Sequence, residues 1–449
     1  MMKQENFREK SFWLTTRDYT PGPSLGADLE VDVAIIGGGF TGLSTAYHLK
    51  RAEPSLRVAI LEGQVIGFGA SGRNGGFNMT LFGLTLGITA LRFGKEKARE
   101  AHHYMERAVD LLRARVTELG LDCDYEHPGF LRVATSEKYK RRIQEEIALA
   151  QRLGLEGIEW IDAHRLAAEV RSPLYLGAWW EPRCGILNPA KLAWSWKDLL
   201  VRMGVVFYEN SPVAEIQRHS GGITLSTPGG RVRAERLVMA TNAWSHCFPA
   251  LRRKQIPVWT HIVLTEPLTE AHFEAIGWRN RQGIEDARNL VHYYRLTADN
   301  RLLMGGRDVS LATGEDMDRD LDPPTFAGLK EDVHRLFPAL KDIRFTHEWG
   351  GPVSVPLDMA PALGYLGDRN VVYSLGCVGH GVSLTHLNGQ TLADMVLQRK
   401  TDLTEVFFVN RRTLPWPPGV MRQAVVRAIL GYMHWEDRRF DAPAGPARR

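Results

Sequence analysis

Apolar positions along the chain fall into two kinds of run. Short blocks in which nearly every residue is apolar alternate with longer stretches in which apolar residues recur every third or fourth position. The first block, residues 31–36 (VDVAII), runs into Gly37-Gly38-Gly39, and helical periodicity follows over 41–51. A second block, 58–61 (VAIL), stops at Glu62. Strand, glycine turn, helix and strand predict one βαβ unit. Helices are expected at 95–119, ended by Gly120, and at 137–153, ended by Gly154. Asn188-Pro189, a cap residue followed by proline in the first turn, predicts a helix running to Gly204.

Strands are expected near 130–134 and at 205–208, 213–217, 222–227 and 231–240, with Pro228-Gly229-Gly230 turning the last pair. Residues 256–307 read as strand-rich and contain the polar-aromatic patch His292-Tyr293-Tyr294-Arg295. The apolar block 371–375 enters Gly376 and then a helix to about 399. Residues 11–27, with Pro21, Gly22, Pro23 and Gly26, read as an irregular arm. Prolines from Pro415 to Pro418 precede a basic helix over 420–439, which either docks on its own protein or lies on a membrane surface.

Composition narrows this picture. A chain of 449 residues, 44% apolar and 24% charged, can bury a large core and form two interleaved domains. The balance of 56 basic and 52 acidic side chains, scattered along the sequence, argues against a nucleic-acid partner. Cys123, Cys184, Cys247 and Cys377 lie far apart, without metal-ligand or disulfide spacing, so free thiols and no metal are expected. The longest apolar stretch, 81–91, is interrupted by Gly83 and Gly87 and is too short to span a bilayer. With a polar N-terminus, this predicts a cytoplasmic protein without an integral membrane segment.

The glycine turn carries the first chemistry. Gly37 permits the sharp turn, Gly39 lets the main chain approach a pyrophosphate, and Gly42 lets the helix lie close to the strand. Phe40 and Thr41 open the helix whose N-terminal N–H groups and dipole favour a phosphate. Glu62, 20 residues beyond Gly42, stands where a carboxylate accepts ribose hydroxyls. These features predict a dinucleotide and leave FAD and NAD both open.

Three further segments point to FAD. Residues 67–76 (GFGASGRNGG) have the glycine density of backbone wrapping a ligand, with Gly69, Ala70, Ser71 and Gly75 as close-approach positions. Arg73 is a candidate for a phosphate and Asn74 for a flavin or ribityl oxygen. Residues 237–244 form an apolar strand ending in Thr241-Asn242. Gly376, Gly379, His380, Gly381, Val382 and Ser383 join a late strand to a late helix, whose N-terminus can stabilise negative charge on a reduced flavin.

With these motifs in order, the sequence resembles the glycine oxidase/sarcosine oxidase/D-amino-acid oxidase superfamily of FAD-dependent amine oxidoreductases. Within it, the chain is most similar to bacterial gamma-glutamylputrescine oxidases. The resemblance rests on VAIIGGGFTGLSTAYHL (33–49), IGFGASGRNGGF (66–77), LDCDYEHPGFLRVA (121–134), YYRLTADNRLLMGG (293–306) and GHGVSLTHLNGQTLADM (379–395). It implies an α/β fold: a Rossmann-like FAD domain of glutathione-reductase type (28–80, 189–250, 348–400) and an interleaved α+β substrate domain on a mainly antiparallel sheet (81–188, 251–347). A tail follows at 401–449.

The same resemblance implies oxidation of a C–N bond in a small amine or amino acid by hydride transfer to flavin N5, then imine hydrolysis. O2 or another electron acceptor, such as a quinone, completes the cycle. It places the Val213 backbone against the adenine. The stretch comparable to the cysteine-bearing segment of sarcosine oxidases, 350–358, has no cysteine, which implies noncovalent FAD. Ser383 replaces the carboxylate-holding lysine of those enzymes, and Arg307 stands where glycine is frequent in gamma-glutamylputrescine oxidases. An arginine there suits a substrate bearing an anionic group.

The candidate catalytic residues are His261, Tyr294, Arg307 and His380. His261 either orients or deprotonates the amine or is a satisfied structural histidine. His380, between two glycines, acts through its ring or its backbone. Tyr294 and Arg307 contact substrate or pack between sheet and loop. Oligomeric state is not encoded in any of these patterns.

Overall fold

A computed structural model describes residues 6–312 and 317–441. The βαβ unit comprises strand Leu29–Ile36, helix Phe40–Ala52 and strand Val58–Leu61. Its strands are the middle of an eight-stranded sheet, in which Leu29–Ile36 pairs in parallel with Val58–Leu61 on one side and Gly230–Met239 on the other. Val206–Tyr208 and Asp368–Leu375 extend it in parallel, and Ala362–Leu366 closes one edge antiparallel. The strand cores are apolar on both faces because helices cover one side and a hairpin layer the other. Helix Phe40–Ala52 lies against Gly381–Val396 so closely that a Cβ on Gly389 would stand 2.5 Å from Ser44. Ser44 Oγ donates to the His386 carbonyl at 2.7 Å across this crossing.

The second eight-stranded sheet has the order Phe345–Val355, Ile256–Pro267, Arg301–Leu311, His292–Leu296, Gly283–Asp286, Phe130–Val133, Gly177–Glu181, Glu159–Asp162. All neighbours are antiparallel except Gly283–Asp286 with Phe130–Val133. The interleaved α/β architecture expected from the sequence is therefore present. The expected boundary at 348, however, falls inside strand Phe345–Val355, which belongs wholly to this second sheet.

One irregularity matters for the site. Strand Ile256–Pro267 pairs Thr260 with Val309 but His261 with Gly306, so Arg307 and Asp308 bulge out of the ladder. Gly306 takes φ +100° and Arg307 φ +67°, the left-handed region where glycine is at ease and arginine is not.

The arm at 11–27 is less irregular than its prolines and glycines suggest. Short 3-10 turns at Phe7–Lys10 and Phe12–Thr15 bury Trp13 and Leu14. Ser11 Oγ donates to the Gly72 carbonyl at 2.6 Å and Trp13 Nε1 to the Asn74 carbonyl at 2.9 Å, strapping the 67–76 loop from outside. Helices Glu270–Ile276 and Pro323–Leu336, unforeseen in the sequence, cover the outer face of the second sheet with Phe273, Ile276, Phe326, Leu329 and Val333.

Candidate functional site: a cofactor cradle and a charged inner chamber

A cavity of about 1050 Å³ runs between the two sheets. Its first wall is the glycine turn. Gly37 (φ +108°) would bring a Cβ to 2.6 Å from the Ala240 carbonyl, and Gly42 would bring one to 2.1 Å from the Gly37 carbonyl. Both positions therefore exclude any side chain. Gly42 does not itself line the cavity; it sets the helix against the strand, as its spacing implied. Gly39, Phe40 and Thr41 do line it, and Ser71 Oγ accepts the Phe40 N–H at 3.0 Å, hooking the second glycine segment to the helix start.

Glu62 faces the same space. One carboxylate oxygen accepts the Gly38 N–H at 2.7 Å and the other the Gln64 N–H at 3.0 Å, leaving further lone pairs toward the cavity. Burial pushes its carboxyl above the usual range, and the backbone N–H groups of Gly38 and Gln64 pull against that shift. Val213, in the loop before strand Glu215–His219, lines the adjoining wall with Pro212.

Two helix N-termini open onto this space without a side-chain cap. Gly39 begins Phe40–Ala52 and His380 begins Gly381–Val396. Among the described residues six other α-helices start on a capping Ser, Thr, Asp or Asn side chain. Helix starts that lack such a cap leave N–H donors and positive dipole ends for an anionic or electron-rich ligand. A pyrophosphate suits the first and a flavin edge the second, so the cradle fits FAD by its own chemistry.

Gly69, Ala70, Gly75, Thr241, Asn242, Gly379, Gly381 and Val382 all line the cavity. Four other expectations need correction. Arg73 lines the cavity, yet its guanidinium donates to the Phe68 carbonyl (2.8 Å) and Asp320 (2.7 Å) and lies over the Phe68 and Trp259 rings. Its charge is committed to the fold. Asn74 spends its amide on the Ala70 carbonyl and the Gly76 N–H, shaping its own loop. Gly376 (φ +82°) makes the turn and is packed on Pro356 outside the cavity. Ser383 is buried with Oγ donating to the Met79 carbonyl at 2.6 Å, so the residue standing for the lysine faces away.

The inner chamber lies where Gly75 and the 377–382 turn meet the second sheet, and here strand phase decides the roles. Tyr294 points into the second core, fully buried, with its hydroxyl 2.7 Å from that of Tyr175. Tyr293, one residue earlier, therefore faces the cavity. Its ring occupies the space left by Gly305, where a Cβ would stand 2.4 Å from the phenol, and by Gly75. Burial pushes the Tyr293 phenol up to about 12, with a side-chain hydrogen bond to Thr260 acting the other way, so it stays a neutral donor.

His261 likewise faces outward, against Phe326, with Nε2 3.0 Å from the Arg319 carbonyl, while its neighbour Thr260 lines the cavity. Arg307 reaches the rim of the cavity, but it donates to Asp332 and, at 3.4 Å, to the Gly328 carbonyl. Its positive charge is largely answered there.

Nothing in the chain alone singles out Glu285. This acid is 5% exposed, lines the cavity, and sits in register with Tyr293 on one side and Arg132 on the other. Arg132 is held by Glu146 at 2.9 Å. The basic side chain nearest the Glu285 carboxylate is the His380 ring, Nε2 to Oε1 3.6 Å, and His380 Nδ1 is buried without a hydrogen-bond partner. A buried carboxylate facing a cavity is a receptor for a cation.

A fold of two interleaved sheets and a glycine-lined cradle for a dinucleotide define a flavoprotein oxidoreductase, and comparison with known families agrees. Residues 32–395 match the DAO family of FAD dependent oxidoreductases, and the chain belongs to that family; it is an FAD-dependent enzyme. It is 34% identical over 404 residues to the gamma-glutamylputrescine oxidoreductase of Escherichia coli (strain K12), covering 89% of this chain and 91% of that protein. Similarity extends to the glycine oxidase of Geobacillus kaustophilus (strain HTA426), 25% identical over 82% of this chain and 94% of that one. The crystal structure of glycine oxidase from Geobacillus kaustophilus shares the fold, with a TM-score of 0.73 at 23% identity over 86% of this chain and all of that one.

Proposed function

We propose that this enzyme oxidises the C–N bond of a small primary or secondary amine whose far end carries a carboxylate, a gamma-glutamyl amine being the model substrate. The observation that carries the reading is Glu285, a buried carboxylate without a committed cation, beside His380 and Tyr293 in a cavity that also holds the cofactor cradle. An amine reaches the enzyme as an ammonium, and Glu285 offers its counter-charge. The ammonium must lose a proton before its C–N bond can be oxidised, and Glu285 Oε1 with His380 Nε2 supplies two adjacent acceptors. Tyr293 Oη, kept protonated, orients the same end by donating a hydrogen bond.

Bound FAD supplies the two-electron acceptor. Thr241, Asn242, the glycine turn, Glu62, Val213 and the uncapped start of Gly381–Val396 hold it without a covalent link. Burial pushes the thiol of Cys377, which also lines the cavity, upward, so it is a poor nucleophile. Arg92 and Arg152 line the cavity and offer charge to the substrate carboxylate, while Arg142, also in the lining, is paired with Glu436. The net reaction consumes amine, O2 and water, and releases aldehyde, ammonia or a smaller amine, and hydrogen peroxide.

The test is anaerobic bleaching of the bound flavin by gamma-glutamylputrescine, free diamines, N-methyl amino acids and D-amino acids, followed by peroxide measurement in air. Fast bleaching by the gamma-glutamyl amine with stoichiometric peroxide is expected. Bleaching only by D-amino acids would overturn the substrate assignment, and bleaching without peroxide would overturn the acceptor.

A further inference from the structure

The last helix, Gly419–Phe440, separates its side chains by charge as well as by polarity. Its two acids both turn inward: Asp437 accepts from the Tyr139 hydroxyl and the Asn289 and Leu290 N–H groups at 2.9 Å, and Glu436 accepts from the Asn289 amide at 2.6 Å. Nearer the helix start, Val426 is buried in a cluster with Ile256, Val258 and Trp416. This inner face docks the helix on the protein and, through Ile429, Leu430 and Met433, closes part of the cavity wall.

The outer face follows the helical repeat through Val420, Ala424, Ala428, Tyr432 and Trp435, with Met421 on its flank. Val420 is 81% exposed, Met421 64%, Tyr432 59% and Trp435 54%. Interleaved with them are the exposed Arg427, Arg438 and Arg439, and no acidic side chain of the helix shares that face. Across the same cavity, Leu91 of helix Leu86–Phe93 is 85% exposed beside the exposed Arg92.

We propose that the outer face of Gly419–Phe440 binds the surface of an anionic lipid bilayer. The helix lies in the interfacial plane with Val420 and Met421 toward the acyl boundary, Tyr432 and Trp435 at headgroup depth, and the arginines on lipid phosphates. Charge selects this occupant: a second copy of the face would oppose its arginines to their own kind, whereas an anionic membrane supplies their counter-charge along the whole strip. A bilayer also accepts apolar tips without shape complementarity. No helix among the described residues is long and apolar enough to cross a membrane, so the attachment is peripheral. It sets the rim of the cavity against the lipid surface.

The experiment is co-sedimentation of the purified flavin-containing protein with vesicles of phosphatidylcholine alone or mixed with phosphatidylglycerol, at low and high salt. The yellow protein is expected to pellet with the anionic vesicles, stay in solution with the neutral ones, and be released by salt. Each arginine near such a surface strengthens partition about fivefold, so Arg427→Glu/Arg438→Glu/Arg439→Glu should weaken it at least about a hundredfold. Val420→Ser/Tyr432→Ser/Trp435→Ser should weaken it as severely at low salt. Both triple variants change exposed side chains, and unaltered flavin content and circular dichroism show that they fold. Equal pelleting of wild type and variants, or no pelleting with anionic vesicles, overturns the proposal. A dimer in light scattering that the Ser variant dissociates overturns it in favour of self-association.

Discussion

Replacing Glu285 by Gln keeps the shape of the inner chamber and removes its unpaired charge. In the free enzyme the carboxylate is 5% exposed and faces a histidine ring 3.6 Å away rather than a lysine or arginine, so little folding energy rests on it. The substrate complex is different. A hydrogen bond to a charged group is worth about 1.5 to 3 kcal/mol, against roughly 1 kcal/mol for a neutral pair. A buried ammonium left facing an amide also loses the counter-charge that offsets its own desolvation. The hydrogen-bond difference alone, about 0.5 to 2 kcal/mol, corresponds to a fall of roughly 2- to 30-fold in kcat/KM, and the lost counter-charge deepens it.

Stopped-flow reduction of the bound flavin by gamma-glutamylputrescine under anaerobic conditions measures this directly, with the dependence on amine concentration separating affinity from the limiting rate. Glu285→Gln should lose amine affinity, keep its flavin and melt within a degree or two of the wild type. A variant that reduces with unchanged kcat/KM would refute the assignment of Glu285 as the ammonium receptor.

Gly42→Ala would place a methyl group 2.1 Å from the Gly37 carbonyl, more than 1 Å inside the roughly 3.3 Å of a close C···O contact. It should cost at least about 1 to 3 kcal/mol and most of the bound FAD, read from melting temperature and the flavin-to-protein absorbance ratio. Tyr294→Phe removes the 2.7 Å bond to Tyr175 and should lower stability by about 1 kcal/mol without changing turnover, whereas Tyr293→Phe should lower kcat/KM with little effect on melting; the reverse pattern would show that the strand phase is wrong. Burial lowers the pKa of His292, but Asp286 and Asp332 more than compensate and hold it above the ordinary histidine value. The stabilisation from its charged form is fully present below about pH 6.5 and is lost as pH rises through the higher folded value. His292→Gln should therefore be most destabilising in acid, by about 3 to 5 kcal/mol, with the gap to wild type narrowing as pH rises in a melting series.

The parts of this molecule that could be read from the chain alone are those where one residue type is forced by local geometry. Gly42 excludes a Cβ by contact with the carbonyl of nearby Gly37, and Gly37 takes φ +108°, so their spacing in sequence carries the turn. Helix ends at Gly120 and Gly154 were equally legible because both take left-handed φ, +61° and +72°. Helix Pro323–Leu336 was missed although Asp322, Pro323 and the apolar positions 326, 329, 333 and 336 spell out a capped amphipathic helix.

The chemistry of the inner chamber was hidden for a different reason. Strand His292–Leu296 is buried almost throughout, so no polar-apolar alternation reveals which of Tyr293 and Tyr294 faces the cavity. Glu285 stands next to Asp286, an equally acidic neighbour that the fold neutralises with Arg288 at 2.9 Å. Only the three-dimensional register separates the acid that is spent from the acid that is not. Arg307 shows the converse: its chemistry in sequence suggested an anion receptor, and its pairing with Asp332 withdrew that charge.

The cavity wall begins at Ile36 and ends at Met433. On a ribosome, the glycine turn is made well before the helix that closes the cavity on its far side. Until Asp437 reaches Tyr139 and Leu290, that wall is missing and the cradle stands open to water. Loading of FAD is thereby coupled to the arrival of this helix, and a chain stopped before residue 419 should emerge colourless however intact its dinucleotide motif.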